Sequence, residues 1–223
     1  MALTLDNTNP GNLTLQTPLS GTYSLRFPDS DGDPNQVLQT DGSGNLQWAT
    51  VSGAGPFGQT LWVPAPALTA RTTSGAAAGS TETTTNKVMV ETYDFDQAAD
   101  EFVQFSVSFP KGWNLGTVTA EFFWTADSGS GSVAWDLQAV ALSNDDVLDT
   151  AFGTEQNATD TLLATGDVHR SPVTPAITIA GTPAEGDLIV FQLFRDTSDD
   201  SLSADARLIG IKLFYTATTL DDA

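Results

Sequence analysis

The stretch FVQFSVSF, residues 102–109, alternates apolar and polar side chains at each step after its first residue. Successive side chains of an extended chain point to opposite faces, so this period of two predicts a β-strand with one buried face. Similar runs rich in β-branched and aromatic residues predict further strands before and after it, at residues 61–63, 88–93, 117–126, 132–142, 176–179, 188–195 and 206–216. About eight strands are therefore expected after residue 60.

The sequence predicts many strands and few helices, with long connections between some of the strands. This pattern favours an all-β fold, an antiparallel jelly-roll-like β-sandwich rather than a meander barrel. The Ala/Thr/Ser/Gly-rich residues 64–86 are expected to form a long loop, and residues 144–152 and 158–169 to be helical or looped. EFFW at 121–124 and LIVF at 188–191 are apolar on both faces. We expect a subunit interface to cover the second face.

Residues 1–50 have a different pattern of apolar and polar residues from the rest of the chain. Short alternating runs at 3–5, 12–15, 23–27 and 37–39 are separated by turn signals at 9–11, 31–32 and 41–44. Strands this short do not bury enough surface to offset chain entropy, so the segment is expected to share a core with neighbouring chains. The Gly, Ser and Pro of VSGAGPFGQ, residues 51–59, indicate a boundary. We predict a shaft or attachment segment at 1–50, a linker at 51–60 and a head domain at 61–223.

Charge and cysteine content exclude several classes of function. The 223 residues carry 28 acidic and 8 basic side chains, a net charge of -20, and the bases are far apart in the sequence. Binding to nucleic acid or to an anionic membrane surface needs clustered Lys and Arg, so neither is an expected partner. Without cysteine, disulfides, thiolate nucleophiles and zinc–thiolate sites are excluded. The beginning of the sequence shows no signal-peptide pattern, and no apolar run has the length of a membrane span.

The candidate catalytic residues have more ordinary interpretations. A hydrolytic triad would need the single histidine, His169, yet no G-x-S-x-G elbow accompanies it, and we expect it at the surface or an interface. Glycosidase chemistry needs two carboxyls across a cleft. The possible sets are Asp94 with Asp96, Glu121 with Asp136, and Asp145 and Asp146 with Asp149. We expect the carboxylates of each set to be solvated at the surface, and no catalytic residue or cofactor is predicted.

Two acidic loops resemble cation sites only in part. DSDGD at 29–33 alternates oxygen ligands as a calcium loop does, but its glycine is at the fourth position and the twelfth is Thr40 instead of a bidentate Glu. An Asp-Gly turn is the preferred interpretation. The loop containing Asp196, Asp199 and Asp200 has the same two interpretations, a cation site or an ordinary acidic turn. No metal site is predicted.

Tryptophan faces beside polar groups are a common means of binding sugars. Trp124 and Trp135 lie within strand patterns and are expected in the core, whereas Trp113 lies in the turn Lys111-Gly112-Trp113-Asn114. Trp113 and Asn114 are therefore the predicted contacts to a receptor glycan.

Residues 27–48, FPDSDGDPNQVLQTDGSGNLQW, resemble a module that recurs in bacteriophage tail fibres and other virion appendages. The specific part is residues 36–48, and Asn35 replaces the glycine usual in that family. The resemblance implies a trimeric β-rich shaft or attachment segment, and the phrases at 109–114 and 182–191 are similar, more weakly, to β-sandwich heads of phage proteins. The residues carrying the attachment motif are Gln36, Val37, Leu38, Asp41, Gly42, Gly44, Leu46 and Trp48.

The resulting expectation is a structural virion protein, a short homotrimeric fibre located on the tail or capsid. Its N-terminal segment would bind other virion proteins, and its head would bind a host surface glycan without catalysis. One alternative is a capsid decoration or baseplate component with no receptor. A second alternative is a tailspike-type enzyme that degrades a glycan.

Overall fold

A computed structural model describes residues 26–34, 36–50 and 55–219. The chain divides into two compact units, Met1–Ala54 and Gly55–Ala223. The predicted strands at 3–5 and 12–15, most of the one at 23–27, and linker residues 51–54 lie outside the described residues.

The first unit contains an antiparallel hairpin. Strand β1, Gln36–Thr40, pairs with β2, Leu46–Thr50. Leu38 is opposite Trp48, and Thr40 is opposite Leu46. The strand predicted at 37–39 is therefore present and slightly longer.

Within residues 55–219, the described part of the second unit, there are eleven strands, which are numbered in chain order after the hairpin. They are β3 Phe57–Pro64, β4 Thr69–Ala70, β5 Ala77–Glu82, β6 Met89–Phe95, β7 Phe102–Val107, β8 Thr119–Thr125, β9 Ser132–Leu142, β10 Gln156–Thr161, β11 His169–Arg170, β12 Leu188–Arg195 and β13 Ala206–Ala217. A short 3-10 helix, Ala65–Ala67, follows β3. Among the described residues, no helix has the length and apolar character needed to cross a membrane.

The strands of the second unit form two antiparallel sheets. One has five strands in the order β10-β9-β12-β7-β4, and the other has six, with β11-β8-β13-β6-β5 as its path and β3 paired to β13. The two sheets enclose one apolar core, so the all-β, jelly-roll-like sandwich predicted from the sequence is confirmed. Because β3 begins at Phe57, residues 57–60 of the predicted linker belong to the sandwich.

The alternation in residues 102–109 determines which side chains enter the core. Val103, Phe105 and Phe109 are buried, and the ring of Phe105 stacks on Phe191 of β12 with centroids 4.9 Å apart. Trp124 and Trp135 are both 0% exposed, as predicted. Fully burying large side chains of this kind contributes roughly 1.5–3 kcal/mol each, so the core stabilises the sandwich by apolar burial.

Three predictions of local structure were wrong. Residues 64–86 contain β4 and β5 instead of one long loop, because β5 is held by backbone pairing to β6 and needs no apolar pattern. Residues 158–161 belong to the edge strand β10, whose sequence QNATDT leaves one edge and much of its surface to solvent. At 176–179 only an isolated bridge, from Ile177 to Val118, replaces the predicted strand. In contrast, β9 and β12 have the predicted bounds.

Candidate functional site: an amide and aromatic face on the five-stranded sheet

Three glutamines form a row across the outer face of the five-stranded sheet. Gln192 of β12 is in register with Gln138 of β9 on one side and with Gln104 of β7 on the other. Their sequence neighbours, including Leu137, Val103, Phe191 and Leu193, enter the core, so alternation directs the three glutamines outward. The Gln104 Nε2 donates a hydrogen bond to the Gln192 Oε1 at 2.9 Å. This set is called the amide row below.

Two phenylalanine rings adjoin the amide row. Phe102 of β7 and Phe194 of β12 are in register, and their ring centroids are 5.0 Å apart. The Arg71 guanidinium carbon lies 4.0 Å from the Phe102 ring centroid, and its Nη1 donates to the Gln192 Oε1 at 3.3 Å. Arg71 therefore joins the aromatic pair to the amide row.

Asp136 places a nearly buried carboxyl next to these rings. It is in register with Phe194 on one side and with Asn157 of β10 on the other, and it is 3% exposed. Asn157 Nδ2 donates a hydrogen bond to the Asp136 Oδ2 at 3.2 Å. Burial raises the pKa of Asp136 to about 6; the Asn157 hydrogen bond opposes the shift, and the charges of Asp196, Glu155 and Asp199 add to it. The face therefore carries one carboxyl that titrates near neutrality.

The chemistry of this face suits a ligand rich in hydroxyl groups. Each glutamine amide offers two donors and an acceptor, and a guanidinium offers donors only. Neighbouring strands are about 4.8 Å apart, so the amide row presents regularly spaced polar groups across the strands. The Phe102 and Phe194 rings supply an apolar surface for the non-polar face of a sugar ring.

The acidic sets considered for catalysis do not meet at this face. Glu121 is on β8 of the six-stranded sheet, and Asp136 is on β9 of the five-stranded sheet. Both project outward, because Ala120, Phe122, Trp135 and Leu137 enter the core between the sheets. The two carboxyls therefore lie on opposite surfaces of the sandwich and do not share a cleft. The possible catalytic pair of Glu121 with Asp136 is thereby corrected.

The other acidic sets have structural partners. Asp94 accepts a hydrogen bond from the Thr92 hydroxyl at 2.6 Å and forms an ion pair with Arg207. Asp96 and Asp146 each accept a backbone N–H within a turn. In the loop after β12, Asp200 forms an ion pair with Arg195. Within the described residues, no three His, Cys, Asp or Glu side chains gather into a group that could hold a metal ion.

Trp113 does not present its ring to solvent. It is 5% exposed and packs against Phe109 with ring centroids 4.5 Å apart, so the prediction that Trp113 stacks on a glycan is corrected. Asn114 is exposed, and its Oδ1 accepts a hydrogen bond from the backbone of Gly116 at 2.9 Å. The turn at 111–114 therefore serves the packing of the sandwich edge.

His169 is buried within the sandwich unit, so the position expected for it, at the surface or an interface, was wrong. Its Nε2 accepts a hydrogen bond from the Leu163 backbone at 3.0 Å, and its Nδ1 lies 3.0 Å from the Asp167 carbonyl oxygen. The imidazole ring also packs on Trp124 with centroids 4.8 Å apart. With both nitrogens engaged by backbone, His169 holds the loop between β10 and β11.

The attachment motif forms the β1–β2 hairpin and its turn. Asp41 accepts hydrogen bonds from the Asn45 side chain at 2.7 Å and the Ser43 backbone at 2.7 Å, and these bonds lower the pKa of Asp41. Gly42 and Gly44 have φ of 79° and 94°, a conformation that favours glycine. The turn requirement explains why the motif carries Asp, Gly and Asn at these positions.

The acidic turn at 29–33 packs against the hairpin through Trp48. The indole Nε1 of Trp48 donates a hydrogen bond to the Ser30 carbonyl oxygen at 2.8 Å. A Cβ at Gly32 would lie 2.5 Å from the Trp48 ring, so only glycine allows this approach. Gln36 Oε1 accepts from the Asp33 backbone at 2.8 Å. These contacts support the turn interpretation of the segment.

The sequence did not identify the amide row. It also did not place Arg71, Phe102 and Asp136 on the same face. The available signal was the position of Gln138 and Gln192, each flanked on both sides by apolar residues within a strand pattern. A polar amide at such a position marks an outward face, but only the register shows that three of them align.

The sequence matches no family model and no curated protein. Among solved structures, the chain is similar to the CBM22-2 xylan-binding domain of Xyn10C from Paenibacillus barcinonensis, with a TM-score of 0.43 and 15% identity over 70% of this chain and 98% of that domain. It is also similar to the C-terminal CBM6 of the laminarinase LamC from Zobellia galactanivorans, with a TM-score of 0.37 and 11% identity over 70% of this chain and 98% of that one.

A third similar structure is a cycloisomaltooligosaccharide glucanotransferase from Paenibacillus sp.. Its TM-score is 0.41 at 13% identity, and the match covers 71% of this chain. The matched region spans only 18% of that enzyme's length. What this sandwich binds is therefore argued from its own residues.

Proposed function

We propose that the β-sandwich of the second unit binds a glycan chain, without cleaving it, across the outer face of its five-stranded sheet. The observation that carries this proposal is the amide row. Gln138, Gln192 and Gln104 follow one another across three neighbouring strands; Gln192 is only 6% exposed, and the half-buried Gln104 and Gln138 on either side of it offer their amides to a sugar chain lying across the strands.

The neighbouring groups fit the same ligand. Phe102 and Phe194 offer ring edges and faces to the apolar side of a pyranose, and Arg71 donates to hydroxyl oxygens. The preformed hydrogen bonds from Gln104 and Arg71 to Gln192 hold the row in place before a ligand arrives. A site ordered in advance loses less conformational entropy on binding.

The proposed setting for this binding is a bacteriophage appendage, a homotrimer whose first unit attaches to other virion proteins. The resemblance at residues 36–48 supports it, and so does the hairpin itself. A two-stranded hairpin is marginal in water, and this one exposes Val37, Leu38 and Trp48 to 49%, 40% and 37%, with Phe27 nearby in the sequence exposed to 54%. Two further copies of the chain would cover these apolar side chains.

Isothermal titration of the full chain tests the glycan proposal. The probes are neutral hexasaccharides built from gluco, manno, galacto and xylo units. At least one should bind, and Gln104→Ala and Gln138→Ala should each weaken it about three- to tenfold, because each removes one hydrogen-bonding amide. Gln97→Ala, at an exposed amide in the turn after β6, is the matched control. Equal affinity in all four proteins would refute the assignment of the amide row.

Adsorption to host cells separates the proposed role from a decoration role. The full-length trimer should adsorb and block infection, and Gln138→Ala should reduce the adsorption. A protein that assembles into virions but never adsorbs would indicate a capsid decoration or baseplate component.

A second candidate function, glycan cleavage, is favoured by one observation, the raised pKa of Asp136. A carboxyl whose pKa is raised to about 6 stays protonated in mildly acidic solution, as a general acid in glycoside hydrolysis must. Release of reducing ends from a bound glycan, abolished in Asp136→Asn, would establish this activity. Binding without release in the unchanged protein would support the non-catalytic function.

A further inference from the structure

A second cluster of aromatic and charged side chains occupies the outer face of the six-stranded sheet. Lys212 of β13 is in register with Trp62 of β3 on one side and Glu121 of β8 on the other. Phe123 follows on β8 and meets Trp62 edge to face, with centroids 5.2 Å apart and an interplanar angle of 86°. Arg170 of β11 is in register with Phe123. These five residues are called the Trp62 cluster.

Glu121 has one oxygen without a hydrogen-bond donor. Its side chain is only 7% exposed, and its Oε1 accepts from Arg170 Nη2 at 2.6 Å and Nε at 3.1 Å. Its Oε2 is buried, and no described residue donates a hydrogen bond to it; the Lys212 ammonium is 3.9 Å away. Buried polar atoms in folded proteins are normally paired, and the charge of this oxygen is offset only by the Lys212 ammonium, while Arg170 holds the other oxygen directly.

Trp62 offers an aromatic surface on the same face, across β13 from Glu121. The residue is 44% exposed, although it belongs to a central stretch of β3. Its ring lies over the backbone of Gly210, where a Cβ would come within 2.5 Å of the indole. The absence of a side chain at Gly210 therefore lets the ring lie close to the sheet with part of it open to solvent.

The charge of the cluster is unusual for this protein. Residues 51–223 carry 23 acids and seven bases, a net charge of -16. Three of the described bases have carboxylate partners elsewhere: Arg195 with Asp200, Arg207 with Asp94 and Asp127, and Lys87 with Glu82. Arg170 and Lys212 instead share the single carboxylate of Glu121, so the cluster has a net charge of +1.

We propose that the Trp62 cluster binds a sugar ring that bears a carboxylate, a unit of the uronic-acid class. The Trp62 ring stacks on the apolar face of the sugar, and Lys212 and the half-exposed Arg170 pair with its carboxylate. The added carboxylate brings the cluster to neutrality. This site shares no residue with the amide row.

The sheet provides room for a neighbouring sugar. An open groove of about 470 Å³ continues along the same face, in the row next to Lys212 and Glu121. Hydroxyl and aromatic side chains line it, among them Thr60, Thr119, Thr216 and Phe214. An acidic oligosaccharide therefore fits the face better than a single isolated anion does.

Titration of the full chain with tri-galacturonate tests this site, and the methyl ester of the same trisaccharide serves as the neutral comparison. The buffer contains about 0.15 M salt, which limits repulsion between the acidic domain and the ligand to roughly 8 Å. The acid form should bind, and its methyl ester should bind roughly tenfold more weakly because the ion pairs are lost.

Two variants address the contacts separately. Lys212→Met should weaken binding of the acid roughly fivefold and leave the methyl ester unchanged. Trp62→Ala should weaken both ligands, since it removes the stacking surface. Lys87→Met removes the same charge from a turn away from this face and is the matched control. Thermal melting of each variant confirms that it folds.

Three results would overturn the inference. The first is no binding of the acid form, and the second is equal affinity of the acid and ester forms. The third is a Lys212→Met or Trp62→Ala protein that binds as before but loses its oligomeric state in sedimentation, which would make this face an interface between copies of the chain. None of these results bears on binding at the amide row, which is tested by different ligands and different residues.

Discussion

The guanidinium of Arg195 is fully buried and pairs with Asp200 through two hydrogen bonds, Nε to Oδ2 at 2.9 Å and Nη2 to Oδ1 at 2.8 Å. Its remaining N–H groups donate to the carbonyl oxygens of Phe95, Leu202 and Ala204. All five donors of the side chain are therefore used. The contacts join the end of β12 to the loop before β13 and to the end of β6.

Replacing Arg195 should destabilise the sandwich strongly. Arg195→Met leaves Asp200, whose side chain is 4% exposed, as an unpaired buried charge, and three carbonyl oxygens lose their donor. Breaking a buried ion pair from one side costs about 3–5 kcal/mol. Urea denaturation measures the free energy of unfolding, and Lys87→Met, at a pair exposed on both sides, is the control. A variant as stable as the original protein would contradict the assigned role.

Asp136 should make the stability of the sandwich depend on pH. Its pKa rises from 3.8 to about 6 on folding, so the folded state binds the proton more tightly than the unfolded chain does. The contribution of this group is therefore fully present below about pH 3.8 and is lost as pH rises through about 6. Stability attributable to Asp136 decreases from acid to neutral pH.

Asp136→Asn should remove that dependence, because the amide stays neutral and still accepts from Asn157. The variant should be more stable than the original protein at pH 7.5, by up to about 3 kcal/mol, and the difference should shrink toward zero near pH 4. Denaturation curves at several pH values measure it, with Asp205→Asn at an exposed position as the control. A constant difference across pH would argue against a proton-linked effect.

The proposed trimer should become more stable as salt is added. The second unit carries -16, so three copies together carry -48, and like charges on neighbouring units repel. Raising ionic strength from about 0.02 M to 0.5 M screens this repulsion, whereas an apolar interface is not weakened by screening. Sedimentation equilibrium should show a trimer with a smaller dissociation constant at higher salt. A monomer under all conditions would exclude the trimer, and a trimer that weakens with salt would indicate an interface based on ion pairs.

Local patterns predicted the regular strands well. β9 and β12 were located to the residue because they are long, central and apolar on the core side. β4, β5 and β10 were missed because they lie at sheet edges, where backbone pairing holds a strand without demanding buried side chains on it. Sequence periodicity reports burial and says little about pairing.

The candidate sites were predicted less well than the fold. Trp113 follows a turn-like Lys-Gly pair, which suggested exposure, yet its ring closes one end of the core against Phe109. Trp62 lies in a strand and still exposes part of its ring, because it is on the outer face of the sheet, where Gly210 on the paired strand lets the ring lie close to the backbone. Exposure of a tryptophan depends on neighbours that are distant in the sequence.

The sequence by itself determined the all-β class, the inward and outward alternation of the long strands, the acidic character of the second unit and the turn chemistry of the hairpin. Each of these follows from residue type and spacing along one segment of the chain. Only the tertiary structure decided that Gln104, Gln138 and Gln192 align, that Glu121 and Asp136 face opposite surfaces, and that Arg170 and Lys212 share one carboxylate. Those relationships depend on strand order and register, which bring together residues from separate strands.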